Sequence, residues 1–338
     1  MIGFFEAHHR FFALKRIVLG CNAWKCTKKN RRSEKMYRYV IKRVLLAIVT
    51  VFIISALTFF VMNAIPGGPF NSEKAPSKEV QAVLEARYNL DKPVWEQFII
   101  YLNNFFHGDL GVSLKTGRSI STVIGESFPI SAKLGGMAIV LATVVGLVLG
   151  SIAALKRNTI IDRLIVFFTT LATAVPSFVL ATLLLYVFCL YLGWFPVYDA
   201  NQTHYLLPVI ALALYPMAYI TRLTKTSMLD ALGQDYVRTA NAKGVAGWKV
   251  IFKHALRNAV IPVITYVGPM TAYILTGSLV VENIFTLGGL GSKFVSAITN
   301  RDYTMIMGTT IFLAAIMVTM NLITDLVYKV IDPRIKLD

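Results

Sequence analysis

Residues Val44 to Ile65 read VLLAIVTVFIISALTFFVMNAI, an unbroken apolar run of 22 residues between Arg43 and Pro66. A helix of that length crosses a hydrocarbon core roughly 30 Å thick. It is also too long for the apolar region of a cleaved signal peptide, so it predicts an uncleaved first transmembrane helix. Five more runs follow: Leu134 to Leu155, Leu164 to Tyr198, Tyr205 to Thr221, Ala259 to Val281 and Tyr303 to Thr324. None of the 34 Lys and Arg or 18 Asp and Glu residues falls inside a run, as expected where a charge at a helix centre costs about 2.5 to 3.5 kcal/mol. The pattern predicts an all-α polytopic membrane protein with six transmembrane helices. Composition agrees: of 338 residues, 56% are hydrophobic and only 15% charged, against about 25% charged in soluble domains. Aromatic residues at 12% exclude a disordered chain.

Two runs depart from a single straight crossing. Leu164 to Tyr198, at 35 residues, would be a helix of roughly 52 Å. It is expected to leave the bilayer near Tyr191, Gly193, Trp194 and Pro196, where interface aromatics meet helix breakers. Tyr205 to Thr221 is short at 17 residues, and is expected to finish its turn with polar residues after Arg222.

Lys and Arg resist translocation, so their count per loop sets the orientation. With both termini cytoplasmic, 25 of them lie inside and 9 outside, and seven of the nine fall in one 68-residue loop, too long for the rule to weigh. The domain reading follows. Residues 1–43 form a basic cytoplasmic segment and 44–65 the first span. Residues 66–133 form an extracytoplasmic loop with short helices, starting at Ser77 and Pro93. A core of spans over 134–324 includes the cytoplasmic loop 222–258, and 325–338 form a cytoplasmic tail. The net charge of +16 lies on the cytoplasmic side, where anionic lipids explain it better than nucleic acid. Residues 1–35 could lie on the membrane as a basic amphipathic segment, be unstructured, or precede a true start at Met36. Their Cys21, Cys26, His8 and His9 fit no zinc spacing. Cys189 reads as a small buried hydrophobe.

The chain carries no enzyme signature. There is no Gly-Lys pair, hence no phosphate loop, and no HExxH; Gly288, Gly289 and Gly291 lack the preceding strand and following acid of a dinucleotide site. The runs contain no His, Asp, Glu or Lys, which argues against an intramembrane protease, a proton-coupled carrier or a voltage sensor. What remains is a pathway moved by something else. The place for a mover is the loop DYVRTANAKGVAGWKVIFKHALRNAVIP, Asp235 to Pro262. It reads as a helical segment to Lys243, a break at Gly244, a second helical segment and then the fifth span. Its small residues suit a groove on another protein; resting on lipid headgroups is the alternative.

Arg238 to Gly244, nine residues, then His254 to Arg257 align without gaps to the EAAxxxG(x9)IxLP signature of ATP-binding-cassette importer permeases. Thr239, Ala240 and Gly244 occupy the small-residue and glycine positions, Arg238 replaces the acid, and His254 and Arg257 replace Ile and Pro. The chain resembles the membrane subunits of peptide importers over nearly all of Met36 to Asp338. The stretches that carry this are PGGPF ending at Phe70, SFPISAKLG at Ser127, IAALKRNT at Ile152, VPSFV at Val175, LTGS at Leu275, VENIFTLGGLG at Val281, NRDY at Asn300 and IDPRIK at Ile331. Related dipeptide and nickel permeases often carry PGDP where this chain has Pro66, Gly67, Gly68 and Pro69, which leans toward the oligopeptide branch.

The resemblance implies a type I importer permease fold and a non-catalytic half-channel. Its partners would be a homologous second permease, two cytoplasmic ATPases that bind ATP and Mg, and an extracytoplasmic peptide-binding protein. This chain itself would hold no cofactor and no metal. Asp235, Arg238, Thr239, Ala240, Lys243 and Gly244 would form the helix that couples to an ATPase. Glu282, Asn283 and Asp302, at the outer ends of the last two spans, are candidates for meeting the binding protein. A self-contained facilitator regulated by lipids is the reading from another class.

Overall fold

The computed structural model describes residues 40–66, 68, 91–197, 204–276 and 278–331, with the side chains of 328–331 outside that description. The amino-terminal Cys and His residues, the helix expected at Ser77 and the IDPRIK tail beyond Ile331 therefore lie outside the described residues. Every described element is helical, and the pairing of Val112 with Ser119 is an isolated bridge. Among the described residues, 51–331 belong to one compact unit and 40–50 to another.

In chain order the helices are α1 (Val40–Ala64), α2 (Val94–Phe106), α3 (Ile120–Leu155), α4 (Ile160–Ala174), α5 (Ser177–Tyr191) and α6 (Leu206–Leu232). Then come α7 (Asp235–Ala242), α8 (Gly247–Leu275), α9 (Leu279–Ile284), α10 (Leu290–Thr299) and α11 (Tyr303–Ile331). By length and composition, five helices can cross a membrane alone: α1, α3, α6, α8 and α11. Counting the pair α4 and α5 as a broken span gives six. Apolar side chains such as Leu57, Phe167, Leu183 and Leu190 are more than half exposed, an arrangement suited to lipid rather than water.

The pair α4 and α5 corrects the sequence expectation. The long run does not only turn at its end; it bends by 101° between Ala174 and Ser177. Pro176 is the cause. It lacks an N–H, and the residue before a proline is driven out of the helical region. Val175 accordingly stands at φ −88°, ψ 123°. The other end behaves as expected, since the helix stops at Tyr191 and Gly193 turns the chain at φ +65°. Pro129, Pro216, Pro262 and Pro269 stay within their helices.

Two helices outrun their apolar runs. Helix α3 begins at Ile120, taking Glu126 and Lys133 into its first turns, and α6 continues past Arg222 to Leu232. The second helical segment expected between Asp235 and Pro262 and the fifth span are one helix, α8, joined through a π-helical stretch, Val250–Leu256. Such wide turns are uncommon and often mark functional places.

Small residues bring the spans together. A Cβ on Gly146 would lie 2.7 Å from Ile220 Cγ2, and one on Gly150 2.5 Å from the Thr221 carbonyl oxygen. The GxxxG of α3 is thus the seam with α6, as such pairs allow in membranes. Gly268 of α8 faces Thr324 of α11 in the same way. Around these seams lies the main core, with Leu134, Ala138, Ala142, Ile220, Val263 and Ile274. Across α4 and α6, the Asp162 carboxylate pairs with Lys225 Nζ, and Arg222 donates to the Thr169 carbonyl at 3.4 Å. Helix α2 packs on the chain itself: Phe98 is buried between Phe59 and Phe60 and clusters with Tyr303 and Met307.

Candidate functional site

Helix α7 is short and amphipathic, and two features hold it in place. Its inner face buries Val237 and Ala240 against Val250, with Leu232 and Val245 alongside. Its end is a rigid cap: the Val245 N–H donates to Ala240 O at 3.2 Å and the Gly244 N–H to Asn241 O at 3.0 Å. That 6→1 and 5→2 pair is the Schellman arrangement, which needs a left-handed residue at its turn. Gly244 supplies it at φ +72°, with nothing within 4 Å of where a Cβ would be. The glycine is therefore demanded by backbone conformation, not by a close neighbour. The residue after the turn, Val245, packs on the same small cluster as Ala240, the apolar contact that usually accompanies this cap.

The structure splits the sequence candidates on this loop. Ala240 faces the chain's own interior, where it anchors α7. Asp235, Arg238, Thr239, Lys243 and Gly244 are exposed. The Arg238 guanidinium stands 4.0 Å from Asp235 one turn earlier with both side chains open to solvent, a pair worth little to stability. Of the aromatics beside them, sequence reading offers Tyr236 as apolar surface and misses Trp248 and Phe252. Tyr236 is 40% exposed, Trp248 63% and Phe252 62%. The signal was available, because Trp248 and Phe252 are four apart on one helical face. Behind the loop, Ala154, Met228, Ala231, Ala255 and Ala259 form a close-packed alanine-rich junction. Leu232 packs against both this junction and the α7 cluster, so α7 is joined to α3, α6 and α8 through buried contacts.

The candidates at the opposite ends of the spans are placed differently. Asn283 is exposed, but Glu282 and Asp302 turn inward. Asp302 caps α11: its Oδ1 accepts the Met305 N–H at 3.3 Å, and the Leu114 N–H at 3.1 Å from the loop between α2 and α3. The Ser113 hydroxyl donates to its other oxygen. Its carboxylate is fully used within the chain, so it does not present itself outward as expected.

Glu282 is completely buried. Its Oε2 accepts N–H groups from Gly291 at 2.8 Å and Ser292 at 3.3 Å, at the start of α10. The Ser131 hydroxyl accepts the Leu290 N–H at 2.8 Å beside it. Oε1 has no partner. Burial pushes this carboxyl above its ordinary value of 4.5, against the opposing pull of the Ser131 and backbone donors. The glycines of the GGLG stretch now have a reason: a Cβ on Gly289 would lie 2.4 Å from Glu282 Oε2, and one on Gly291 2.8 Å. Glu282 is thus a pin inside the loop rather than a docking group. Thr286 closes the same turn at φ +50°, a strained conformation for a β-branched residue.

These features can be set beside known proteins. Residues 146–337 match a family model described as binding-protein-dependent transport system inner membrane component, and residues 36–137 match the amino-terminal model of such components. The chain is 47% identical over 304 residues to the dipeptide transport system permease protein DppB of Bacillus subtilis, covering 89% of this chain and 99% of that one. It is 41% identical over 305 residues to the oligopeptide transport system permease protein OppB of Haemophilus influenzae, covering 89% of this chain and 100% of the relative. A solved structure described as an amino acid ABC transporter with histidines matches with a TM-score of 0.51 at 15% identity, covering 62% of this chain and 94% of that one. That likeness supports the fold alone. The five long helices and the bent pair place the chain in a membrane, and it belongs to the family of binding-protein-dependent transport system inner membrane components.

Proposed function

We propose that this chain is the membrane-spanning permease subunit of an ATP-driven importer that translocates oligopeptides handed to it by an extracytoplasmic binding protein. The peptide reading is supported by the names of its relatives, dipeptide and oligopeptide permeases at 47% and 41% identity. The observation that carries the mechanism is α7: a helix fixed from within by Val237, Ala240 and the Gly244 cap, with Asp235, Tyr236, Arg238, Thr239 and Lys243 left exposed. On the side that the Lys and Arg count assigns to the cytoplasm, this face seats on an ATPase subunit. ATP and Mg are held by that partner. Closure of the ATPases moves α7, and the alanine-rich junction passes the movement to α3, α6 and α8. ATP can shift the spans between inward-open and outward-open arrangements only by its differential affinity for the two. A homologous second permease completes the pathway, and the uncharged cores of the spans suit peptides of varied side chain.

A dipeptide reading has one specific observation in its favour, the name of the Bacillus subtilis relative. Uptake competition with dipeptides and with peptides of four or five residues separates the two. The importer reading itself is tested by purifying the tagged chain in mild detergent and identifying what accompanies it by mass. A second permease and two ATPases are the expected result. The chain alone, stable and monodisperse, overturns the reading in favour of a self-contained facilitator.

A further inference from the structure

Between α1, α2 and the start of α11 lies a cavity of about 260 Å3, on the side that the charge count assigns to the outside. Its apolar lining includes Phe59, Met62 and Met307. Its polar lining is Asn63, Gln97, Tyr101, Asn104, Asp109 and Thr304, with no Lys, Arg or His among the lining residues. Such a lining favours a cation over an anion.

The Tyr101 hydroxyl is buried here with no hydrogen-bond partner among the described residues. Burial, then the nearby Asp109 carboxylate, push its ionisation above the ordinary value of 10. The phenol is therefore neutral at working pH, able to donate and to accept. Asp109 is exposed, and hydrogen bonds of its turn set its position. Its N–H closes the end of α2 on Asn104 O at 3.0 Å, after Gly108 at φ +82°, and its Oδ1 accepts the Gly111 N–H at 2.8 Å. The second carboxylate oxygen is not used in that turn. Asn63 donates its amide nitrogen to Phe59 O at 2.9 Å, which leaves the amide oxygen as an acceptor. A carboxylate, a buried unpaired hydroxyl and an amide oxygen thus share one cavity with an apolar wall. Buried polar groups are normally satisfied, so the unpaired hydroxyl calls for a partner. By contrast, the cavity of about 140 Å3 around Lys115, Arg118 and Lys293 has the opposite character.

We propose that the cavity lined by Tyr101 and Asp109 is a binding site for a primary ammonium carried on a small apolar group. A free alkyl amine has this chemistry, and so does the amino terminus of a peptide whose first residue is apolar. The ammonium pairs with Asp109 and Asn63, the Tyr101 hydroxyl meets its polar neighbour, and the alkyl part lies on Phe59, Met62 and Met307. The site does not depend on the import reading, because binding can be measured with no transport taking place.

The test is calorimetric titration of the full-length chain in lipid nanodiscs with leucinamide, N-acetyl-leucinamide and a leucine-initial tripeptide amide. Leucinamide is expected to bind saturably, and the acetylated form about tenfold or more weaker, the scale of one lost charge-assisted hydrogen bond. Asp109→Asn is expected to weaken leucinamide by a similar factor. Tyr101→Phe weakens it about threefold and leaves the ligand-free chain at least as stable as wild type, since it removes only an unpaired hydroxyl. Tripeptide binding as tight as that of leucinamide assigns the site to peptide amino termini; binding of leucinamide alone assigns it to free amines. Equal binding of the free and acetylated amides, unchanged affinity in both variants, or no saturable binding at all means that the cavity holds water only, and overturns the proposal.

Discussion

A Cβ on Gly150 would lie 2.5 Å from the carbonyl oxygen of Thr221, so α3 and α6 meet there with no room for a side chain. Backbone cannot yield as the end of a flexible side chain can. Gly150→Ala is expected to push the helices apart at a cost of about 1 to 3 kcal/mol, the usual range for overpacking. Gly136→Ala serves as the control, because nothing lies within 4 Å of its added methyl. Thermal unfolding in detergent checks this: a clear drop in midpoint for position 150 and little change for position 136.

The Asp162 carboxylate, 7% exposed, pairs with Lys225 and also accepts the Asn158 N–H at 3.0 Å. Removing one member leaves the other charge partly buried and alone, which costs about 3 to 5 kcal/mol when burial is complete and less here, since Lys225 is 22% exposed. Asp162→Ala should therefore destabilise the chain strongly. Asp162→Ala combined with Lys225→Met should recover much of the loss, because no unpaired charge remains. Expression level and unfolding midpoint of the two variants read the difference.

Glu282 makes stability depend on pH. Its carboxyl is raised above 4.5 in the folded chain by burial, so the folded state keeps a proton that the unfolded state has released. Stability from this group is therefore present at low pH and falls as pH climbs from 4.5 through the folded value. Glu282→Gln keeps an oxygen for the Gly291 N–H and never ionises. It is expected to flatten that slope and to equal or exceed wild type at pH 8. Unfolding midpoints between pH 4.5 and 8 check it, and an unchanged slope would assign the dependence to other groups.

How much of this was legible in the sequence depends on the range of the interaction. The spans were readable because bilayer thickness acts on each run by itself: Val44 to Ile65 lies almost wholly within α1, and Tyr303 begins α11. Counting uncharged residues cut α3 short, since Glu126 and Lys133 can ride on a helix end without entering the apolar core. The bend at Pro176 was hidden among six prolines in apolar runs, of which only this one breaks its helix in mid-run. In the loop after α6, Gly244 was legible as a break, since its requirement is local. The inward turn of Glu282 and Asp302 was not, because it depends on residues far away in sequence: Ser131 for one, Ser113 and Leu114 for the other. Residue type shows that a carboxylate is present, not whether a distant hydroxyl will claim it. The GGLG spacing after Glu282 was the one local hint, explained only when its missing Cβ atoms are seen to make way for the carboxylate.

In the proposed function, α7 and its Gly244 turn transmit ATP-driven movement to the spans. Gly244→Asp isolates that step. Nothing within 4 Å opposes the new side chain, and Asp tolerates the left-handed conformation better than most residues, so the chain should insert and fold at a cost of about 1 to 2 kcal/mol. The substitution does place a carboxylate on the exposed turn and strains the cap that fixes α7. The decisive measurement is ATP hydrolysis and labelled-peptide uptake recorded together in proteoliposomes of the purified importer. Hydrolysis that continues while uptake per ATP falls about tenfold or more, a change of roughly 1.4 kcal/mol in coupling, is the predicted result. Normal peptide uptake by Gly244→Asp at wild-type expression would contradict it.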